Sequence, residues 1–323
     1  MKNSVIASTC LALSFAWFAS IAPTAAVAQQ GYKVTILDDP RVGPGNYPYG
    51  GTDISQLYGN TYVGENFTGG THGVVDSNGS WSSLYYPGAE FTYATGISGT
   101  TIVGIYITPS LTSHAYKYSN GVYTNIDVPG TSFDYANGIY SNSIVGIYQG
   151  GTLPGYLGIS GFVMTGSNIT NIDDSLGTRG TEPNAIYQNE IVGDYFDSAG
   201  NTHGFLDIAG NFTTIDDPLN IGYSTVAGVY GSTIVGNFGD GSGETQGFIY
   251  SNGKYKTFDI QGSTSTAIRG ITGDTIVGSY YDTSGIEHGF SASPTPEPGN
   301  IMFVLSTMAG IGIAFKSHRK PAA

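Results

Sequence analysis

Histidine is the residue type in this 323-residue sequence best suited to bind a metal or exchange a proton near neutral pH. Four of the five histidines, His72, His114, His203 and His288, occupy the same position of a recurring His-Gly-Phe-like element. If the repeats form a closed ring, equivalent positions are spread around it, and these side chains could meet only at the axis of the ring. We therefore expect each imidazole to bond a turn carbonyl where a strand begins, with metal ligation as the alternative.

Acidic residues recur in three predicted turns. Asp and Asn side chains close turns by bonding to nearby backbone amides. Calcium needs several oxygens from one tight loop, and none of these turns has the spaced Asp pattern of an EF-hand. We expect these acidic side chains to close turns and to bind no cofactor, with weak calcium binding as the alternative. The calcium candidates are Asp194, Asp197, Asp240 and Asp282.

A catalytic site would be sought where the repeat is broken, because a ring normally carries one site. The irregular stretch is 148–190, which holds an insertion at 150–160 followed by Arg179, Glu182 and Glu190. Glycoside hydrolysis needs paired carboxylates, so these three residues could serve a glycan site. The sequence contains no Gly-x-Ser-x-Gly elbow, phosphate loop or metalloprotease helix. No catalytic residue is predicted, and we expect a non-catalytic protein.

The elements that position these residues are predicted to be β-strands. The sequence contains 49 Gly, 24 Tyr and 15 Phe, which is typical of short strands joined by tight turns. A net charge of −13 repels phosphate backbones and argues against nucleic acid as a partner. The single cysteine, Cys10, precedes the repeats, so the body has no disulfide and no cysteine metal site.

Self-similarity is the strongest feature of the body. An Ile-Val-Gly triplet begins at residues 102, 144, 191, 234 and 276, after a variant at 62, with spacings of 40 to 47 residues. A His-Gly-Phe-like element follows each triplet, and a third element is an alternating strand that ends in Ile-Asp. Four short strands with their turns occupy about 40 residues, the size of a propeller blade. In the fifth unit the predicted strands are 211–216, 224–230, 233–238 and 246–251.

The phase of the repeat predicts a closed ring. Residues 31–40 match the last element of a unit, as at 210–218, whereas the sixth unit lacks this element after Phe290. A first strand that completes the last unit removes both free sheet edges, whereas an open solenoid would show atypical caps. We predict an all-β, six-bladed β-propeller of four-stranded repeats over 29–293, closed by the N-terminal strand. A β-solenoid and a different sandwich are the alternatives.

The N-terminus has the features of an export signal. Lys2 precedes an apolar run at 5–21, and Ala26-Val27-Ala28 provides small residues for cleavage. This order predicts a secretory signal peptide over 1–28, with an uncleaved membrane helix as the alternative.

The C-terminal segment 294–323 has three parts in a fixed order. Pro296-Glu297-Pro298 is followed by an apolar run at 301–315 and then by the basic residues Lys316, Arg319 and Lys320. The run is slightly short for a membrane-spanning helix, but flanking cations can snorkel. They would also hold that end in the cytoplasm.

Two family resemblances follow from these residues. The C-terminal segment resembles a PEP-CTERM sorting signal, although Thr295 stands where many such families have Val. This resemblance implies recognition by an exosortase in the inner membrane of a Gram-negative bacterium and cleavage near the motif. A plain membrane anchor is the alternative. The Ile-Val-Gly and His-Gly-Phe pattern is similar to the HAF-type extracellular repeat, which implies a surface location and no established activity.

These features predict an exported cell-surface or extracellular-matrix module, transiently anchored through 301–315, that binds polysaccharide or protein partners. Tyrosines and loop Asn or Asp residues suit sugar stacking and hydrogen bonding. One alternative is a propeller enzyme acting on extracellular glycan or phosphate ester, which unmatched polar residues at one channel mouth would favour. Another is a purely structural adhesion or coat protein that self-associates.

Overall fold

The protein is described from a computed structural model over residues 28–29, 31–42, 50–67, 70–126, 128–131, 133–150 and 159–295. The rest of the predicted signal peptide, with Ala26, lies outside the described residues, as do 151–158 of the insertion. Within the described ranges, no helix is long and apolar enough to cross a membrane. The sorting-signal residues outside these ranges are Pro296, Glu297, Pro298, the run 301–315, Lys316, Arg319 and Lys320.

The described strands form six antiparallel sheets, each of which is one blade. Contacts between the first strands of successive blades run around the ring and return from the sixth blade to the first. The prediction of a six-bladed propeller is confirmed. The strands are β1 (Ala28–Gln29), β2 (Tyr32–Ile36), β3 (Thr52–Tyr58), β4 (Thr61–Phe67), β5 (Thr71–Ser77), β6 (Ser80–Leu84), β7 (Phe91–Ser98), β8 (Thr101–Ile107), β9 (Ser113–Ser119), β10 (Val122–Ile126), β11 (Phe133–Tyr140), β12 (Ser143–Gln149), β13 (Ile159–Thr165), β14 (Asn168–Ile172), β15 (Gly180–Tyr187), β16 (Glu190–Phe196), β17 (Thr202–Ile208), β18 (Asn211–Thr214), β19 (Ser224–Tyr230), β20 (Thr233–Gly239), β21 (Thr245–Ser251), β22 (Lys254–Phe258), β23 (Ser265–Thr272), β24 (Thr275–Tyr281) and β25 (Glu287–Pro294).

Blades 1 to 5 take four consecutive strands each, from β3–β6 to β19–β22, and the first strand of each lies innermost. In the fifth unit the predicted strands agree with β19, β20 and β21 to within one residue. The predicted strand 211–216 ends at Thr214 and belongs to blade 4, so the fourth strand of blade 5 is β22.

Blade 6 closes the ring with the N-terminal strand, as predicted. It contains β23, β24 and β25, and β2 pairs antiparallel with β25 from Tyr32–Pro294 to Ile36–Phe290. Val34 of β2 is fully buried in the core of this blade. Ala28, at the predicted cleavage site, lies in β1, which pairs with the start of β2.

The Ile-Val-Gly triplets lie on the second strand of each blade, where the valines are fully buried between blades. Every innermost strand carries a β-bulge opposite the triplet. The bulge brings a backbone carbonyl of the innermost strand close to the triplet glycine. In blade 2, a Cβ on Gly104 would lie 1.9 Å from the carbonyl oxygen of Tyr93. This close backbone approach occurs between paired strands of one blade.

Candidate functional site

The six bulges build the wall of the central channel. Each bulge inserts one extra residue into an innermost strand, and a bulge re-aims the side chain it carries. In all six blades that residue lines the channel. We call this set the bulge ring, which consists of Ser55, Thr95, Asn137, Asn184, Ala227 and Arg269.

Two chambers meet at the bulge ring. The upper chamber has a volume of about 270 Å³ and extends toward the turns between the first and second strands of the blades. A lower chamber of about 290 Å³ lies on the other side and is also lined by Asp194, Thr225 and Asn237. The ring therefore lies between the two chambers, and its six residues line both of them.

Tyrosines surround the mouth of the upper chamber. The last position of the innermost strand is tyrosine in blades 1, 3, 4 and 5, and Ser98 or Thr272 in blades 2 and 6. Adjacent rings pack together, with centroids 5.0 Å apart for Tyr140 and Tyr187 and 4.4 Å apart for Tyr187 and Tyr230. Three tyrosines thus form a continuous wall, and the two positions without tyrosine leave gaps. We call Tyr58, Tyr140, Tyr187 and Tyr230 the tyrosine rim.

Acidic pairs lie below the bulge ring in two of the six blades. Asp53 faces Glu65 across β3 and β4, and Glu182 faces Asp194 across β15 and β16. The four other blades have uncharged pairs at this register. Blades 1 and 4 are opposite each other in a ring of six. Blades 1 and 4 therefore depart from the repeat by placing charged residues beside the channel. Of these four residues, the irregular stretch 148–190 contains only Glu182.

Asp194 links two blades and does not lie in a turn. Its Oδ1 accepts a hydrogen bond from the amide of Val226 at 2.8 Å, and its Oδ2 accepts one from Asn184 Nδ2 at 2.9 Å. Burial raises the pKa of this carboxyl well above its usual range, and the nearby charge of Glu182 acts in the same direction. In the next blade Asn237 bonds the bulged strand of blade 6 in the same way, with 2.7 Å to the amide of Ile268.

Arg269 is bound to a carboxylate across the closure between blades 6 and 1. Its Nε and Nη2 both lie 2.8 Å from Oδ2 of Asp53. Asp53 is only 3% exposed. Burial raises the pKa of Glu65 to about 8, and the charge of Asp53 adds to this shift. Burial likewise raises the pKa of Glu287, which accepts a hydrogen bond from Ser279. Oδ1 of Asp53 and Oε2 of Glu65 are buried without a hydrogen-bond partner among the described residues.

Two of the four histidines bond carboxylates, so the prediction of a turn carbonyl as their partner is wrong for His203 and His288. Nδ1 of His203 lies 2.6 Å from Asp216, and Nδ1 of His288 lies 2.8 Å from Asp38. These carboxylates end the Ile-Asp elements, which the fold brings beside the start of the third strand. His72 and His114 pack against tyrosine rings instead.

The four histidines stand in four different blades. Among the residues that the structure describes, no group of three or more His, Cys, Asp or Glu side chains is arranged to hold a metal ion.

The remaining calcium candidates close turns in three different blades. Oδ1 of Asp197 accepts hydrogen bonds from the amides of Ala199 and Asn201, both at 2.8 Å. These and a side-chain bond lower the pKa of Asp197 to about 2. Asp240 and Asp282 bond amides two residues on at 2.9 and 2.8 Å. The structure does not bring Asp194, Asp197, Asp240 and Asp282 together.

Arg179, Glu182 and Glu190 do not assemble into one site. The amide of Arg179 bonds the carbonyl of Phe196 at the end of β16, whereas Glu190 begins that strand. A strand rises about 3.3 Å per residue, so the two positions are about 20 Å apart.

An alignment of the six triplets would have identified the channel residues. The bulge ring stands seven residues before each triplet and the tyrosine rim four residues before it.

Comparisons with known proteins concern the fold. No protein-family model and no curated protein matches the chain. Among solved structures, Pyrococcus horikoshii acylaminoacyl peptidase is 10% identical over 71% of this chain and 43% of its own, with a TM-score of 0.44. Trypanosoma rangeli sialidase is 7% identical over 80% and 56%, with a TM-score of 0.43. This chain thus spans about half the length of those two proteins. The six-bladed Aleuria aurantia lectin is 11% identical over 85% and 100%, with a TM-score of 0.44.

Proposed function

We propose that this protein is a non-catalytic, glycan-binding module of the cell surface or extracellular matrix, and that the upper chamber is its binding site. The observation that carries the proposal is the tyrosine rim above a ring of hydroxyl and amide side chains. Tyrosine rings offer flat apolar faces for the C–H faces of a sugar and a phenol for its hydroxyls. Asn137, Asn184, Thr95 and Ser55 supply donors and acceptors at the floor.

The size and shape of the chamber suit a small ligand. Ligand pockets are concave, largely preformed and have volumes of about 300–1,000 Å³. A chamber of about 270 Å³ lies just below the lower end of this range. The site would therefore take one sugar unit, or the end of a glycan chain, through the gap at Ser98 or Thr272.

The positions of the carboxylates support binding over hydrolysis. A glycosidase needs two carboxylates flanking the scissile bond, and no Asp or Glu is among the described residues that line the upper chamber. Of the acids beside the lower chamber, Asp194 accepts two hydrogen bonds and Asp53 accepts one from Arg269. The propeller-enzyme alternative would require these groups to be released from their partners.

Export and sorting complete the proposal. The segment 1–28, with Ala26 and Ala28, would direct secretion, and an exosortase-like enzyme of a Gram-negative inner membrane would process the tail at Pro296-Glu297-Pro298. Both ends of the described chain leave the ring at blade 6, where the amide of Thr295 bonds the carbonyl of Gly31 at 3.0 Å. The tail would therefore tether the module by the outer edge of one blade.

The test is calorimetric titration of residues 29–295, which contain strands β2–β25 of the closed ring, with the producer's own extracted exopolysaccharide. We expect saturable binding, weakened about two- to tenfold by Tyr187→Ala, since an aromatic contact contributes about 0.5–1.5 kcal/mol. The matched control is Tyr85→Ala, which removes a 57% exposed tyrosine outside the rim.

Three other results would count against this function. Equal binding by wild type and Tyr187→Ala would move the site away from the rim. Release of reducing sugar during the titration would favour the enzyme. Self-association without sugar binding would favour the coat protein.

A further inference from the structure

We propose that the sugar bound in the upper chamber carries a carboxylate, and that Arg269 binds this group. The inference rests on the proposed function and names the ligand class of that site. It begins with a break in the sixfold pattern. Five members of the bulge ring are Ser, Thr, Asn, Asn and Ala, and the sixth is Arg269. Among the described residues that line the upper chamber, this guanidinium is the one charged group.

The guanidinium is held in place but is only partly used. Nε donates a hydrogen bond to Oδ2 of Asp53 at 2.8 Å, and Nη2 lies 2.8 Å from the same oxygen as an ion pair. The Nη1 amine donates to no described residue. The side chain is 46% exposed and lines both chambers, so its exposed part faces the channel. Since the guanidinium is a rigid, planar fork of five donors, the edge formed by Nη1 and the second proton of Nη2 can bind another carboxylate through two parallel hydrogen bonds.

The surrounding acids leave this edge available. Asp53 balances the charge of Arg269 from below the bulge ring, where Glu65 and Glu287 also lie. Burial raises the pKa values of both glutamates, that of Glu65 to about 8, so Glu65 is mostly protonated at neutral pH. A ligand carboxylate above the ring would thus meet one cation and no acidic side chain of the upper chamber.

The arrangement of the rim fits a ligand that spans the chamber. Blade 6, which carries Arg269, is opposite blade 3, which carries Tyr140. The gap at Thr272 lies on the same strand as Arg269, three residues further on. A sugar ring stacked against Tyr140 and Tyr187 would direct a carboxyl substituent toward the guanidinium. The net charge of −13 repels long polyanions, so the site suits a single acidic unit inside the chamber better than a polyanionic strand along the surface.

The test compares matched acidic and neutral sugars. Methyl glucuronide and methyl galacturonide are titrated into residues 29–295 beside methyl glucoside and methyl galactoside. We expect at least tenfold tighter binding of the uronides, with a preference that shrinks as salt is raised. The critical variant is the double substitution Arg269→Gln with Asp53→Asn, which removes the cation without leaving its buried partner charged and unpaired. It is expected to abolish the preference for uronides while still binding the neutral sugars. Arg269→Lys, which keeps the charge but loses the planar fork, should retain only part of the preference.

The outcomes separate this inference from the proposed function. A uronide preference that survives in the double variant would overturn the role of Arg269, provided that the melting curve shows a folded protein. Equal or tighter binding of the neutral sugars by the wild type would overturn the carboxylate inference and leave the proposed function standing. No binding of any of the four sugars, together with no binding of the exopolysaccharide, would overturn both.

Discussion

Substitution of Asp194 tests whether buried polar bonds between neighbouring blades hold the ring together. Asp194 is only 7% exposed, and its carboxylate satisfies the amide of Val226 and the side chain of Asn184. Alanine would leave the amide of Val226 without an acceptor, whereas the side-chain amide of Asn184 would keep its other hydrogen bond, to the carbonyl of Val226 at 3.0 Å. Asparagine would retain an oxygen for Val226, as Asn237 does for Ile268 in the next blade.

The magnitude follows from two lost hydrogen bonds, of which the one from Val226 leaves a buried amide without an acceptor. A buried donor left unsatisfied costs about 1–3 kcal/mol, and removal of a buried carboxylate recovers part of its desolvation penalty. We therefore expect Asp194→Ala to lower the free energy of unfolding by about 2–3 kcal/mol. Asp194→Asn should change it by less than about 1 kcal/mol. For a chain of this size each kcal/mol corresponds to roughly 2–4 °C in melting temperature.

Urea unfolding at pH 7, followed by circular dichroism, measures both variants against the wild type. The pH dependence adds a second readout. Because the pKa of Asp194 is raised in the folded state, its contribution to stability is present below its unfolded pKa and is lost as pH rises through the folded value. The Asp194→Asn variant should not show this loss of stability as pH rises. The reasoning is refuted if alanine is as stable as wild type, or if asparagine is as destabilising as alanine.

Three further predictions concern pH and packing. Glu65→Gln should flatten the decline in unfolding free energy between about pH 5 and 8, because the folded chain keeps a proton that the unfolded chain loses near 4.5; an unchanged slope in urea titrations would contradict this. The hydrogen bond to Asp38 raises the pKa of His288, so its contribution is full below about pH 6.5 and is lost above the folded pKa. His288→Gln should therefore lower the melting temperature more at pH 5.5 than at pH 9, and equal losses would count against the ion pair. Gly104→Ala should destabilise by about 3 kcal/mol or more, because its methyl would lie 1.9 Å from the carbonyl of Tyr93; a wild-type urea midpoint would show that the bulge relaxes.

The fold could be predicted from the sequence because every blade buries side chains at equivalent positions. Valines such as Val103 and Val145 are fully buried at equivalent positions, so the apolar triplet must recur. The missing last element likewise predicted the pairing of β2 with β25, since the complementary strand was visible at the N-terminus. Both signals are sequence patterns that can be recognised without any knowledge of three-dimensional contacts.

The positions of the channel residues recur with the triplets, but the contacts of the candidate site could not be predicted in this way because they depend on register and on closure. The bulge that turns Arg269 toward the channel arises from the offset between two paired strands. Its partner Asp53 is 216 residues away and reaches it only when the ring closes. The sequence pattern places Asp194 in the same predicted turn as Asp197, but its position within β16 directs its side chain to the neighbouring blade.

The most direct measurement of the central claim is a crystal structure of residues 29–295 soaked with methyl glucuronide. The account predicts a sugar ring in the upper chamber against Tyr140 or Tyr187, with its carboxylate bonded to Arg269. A sugar bound on the outer face of the blades, or in the lower chamber beside Asp194, would contradict it.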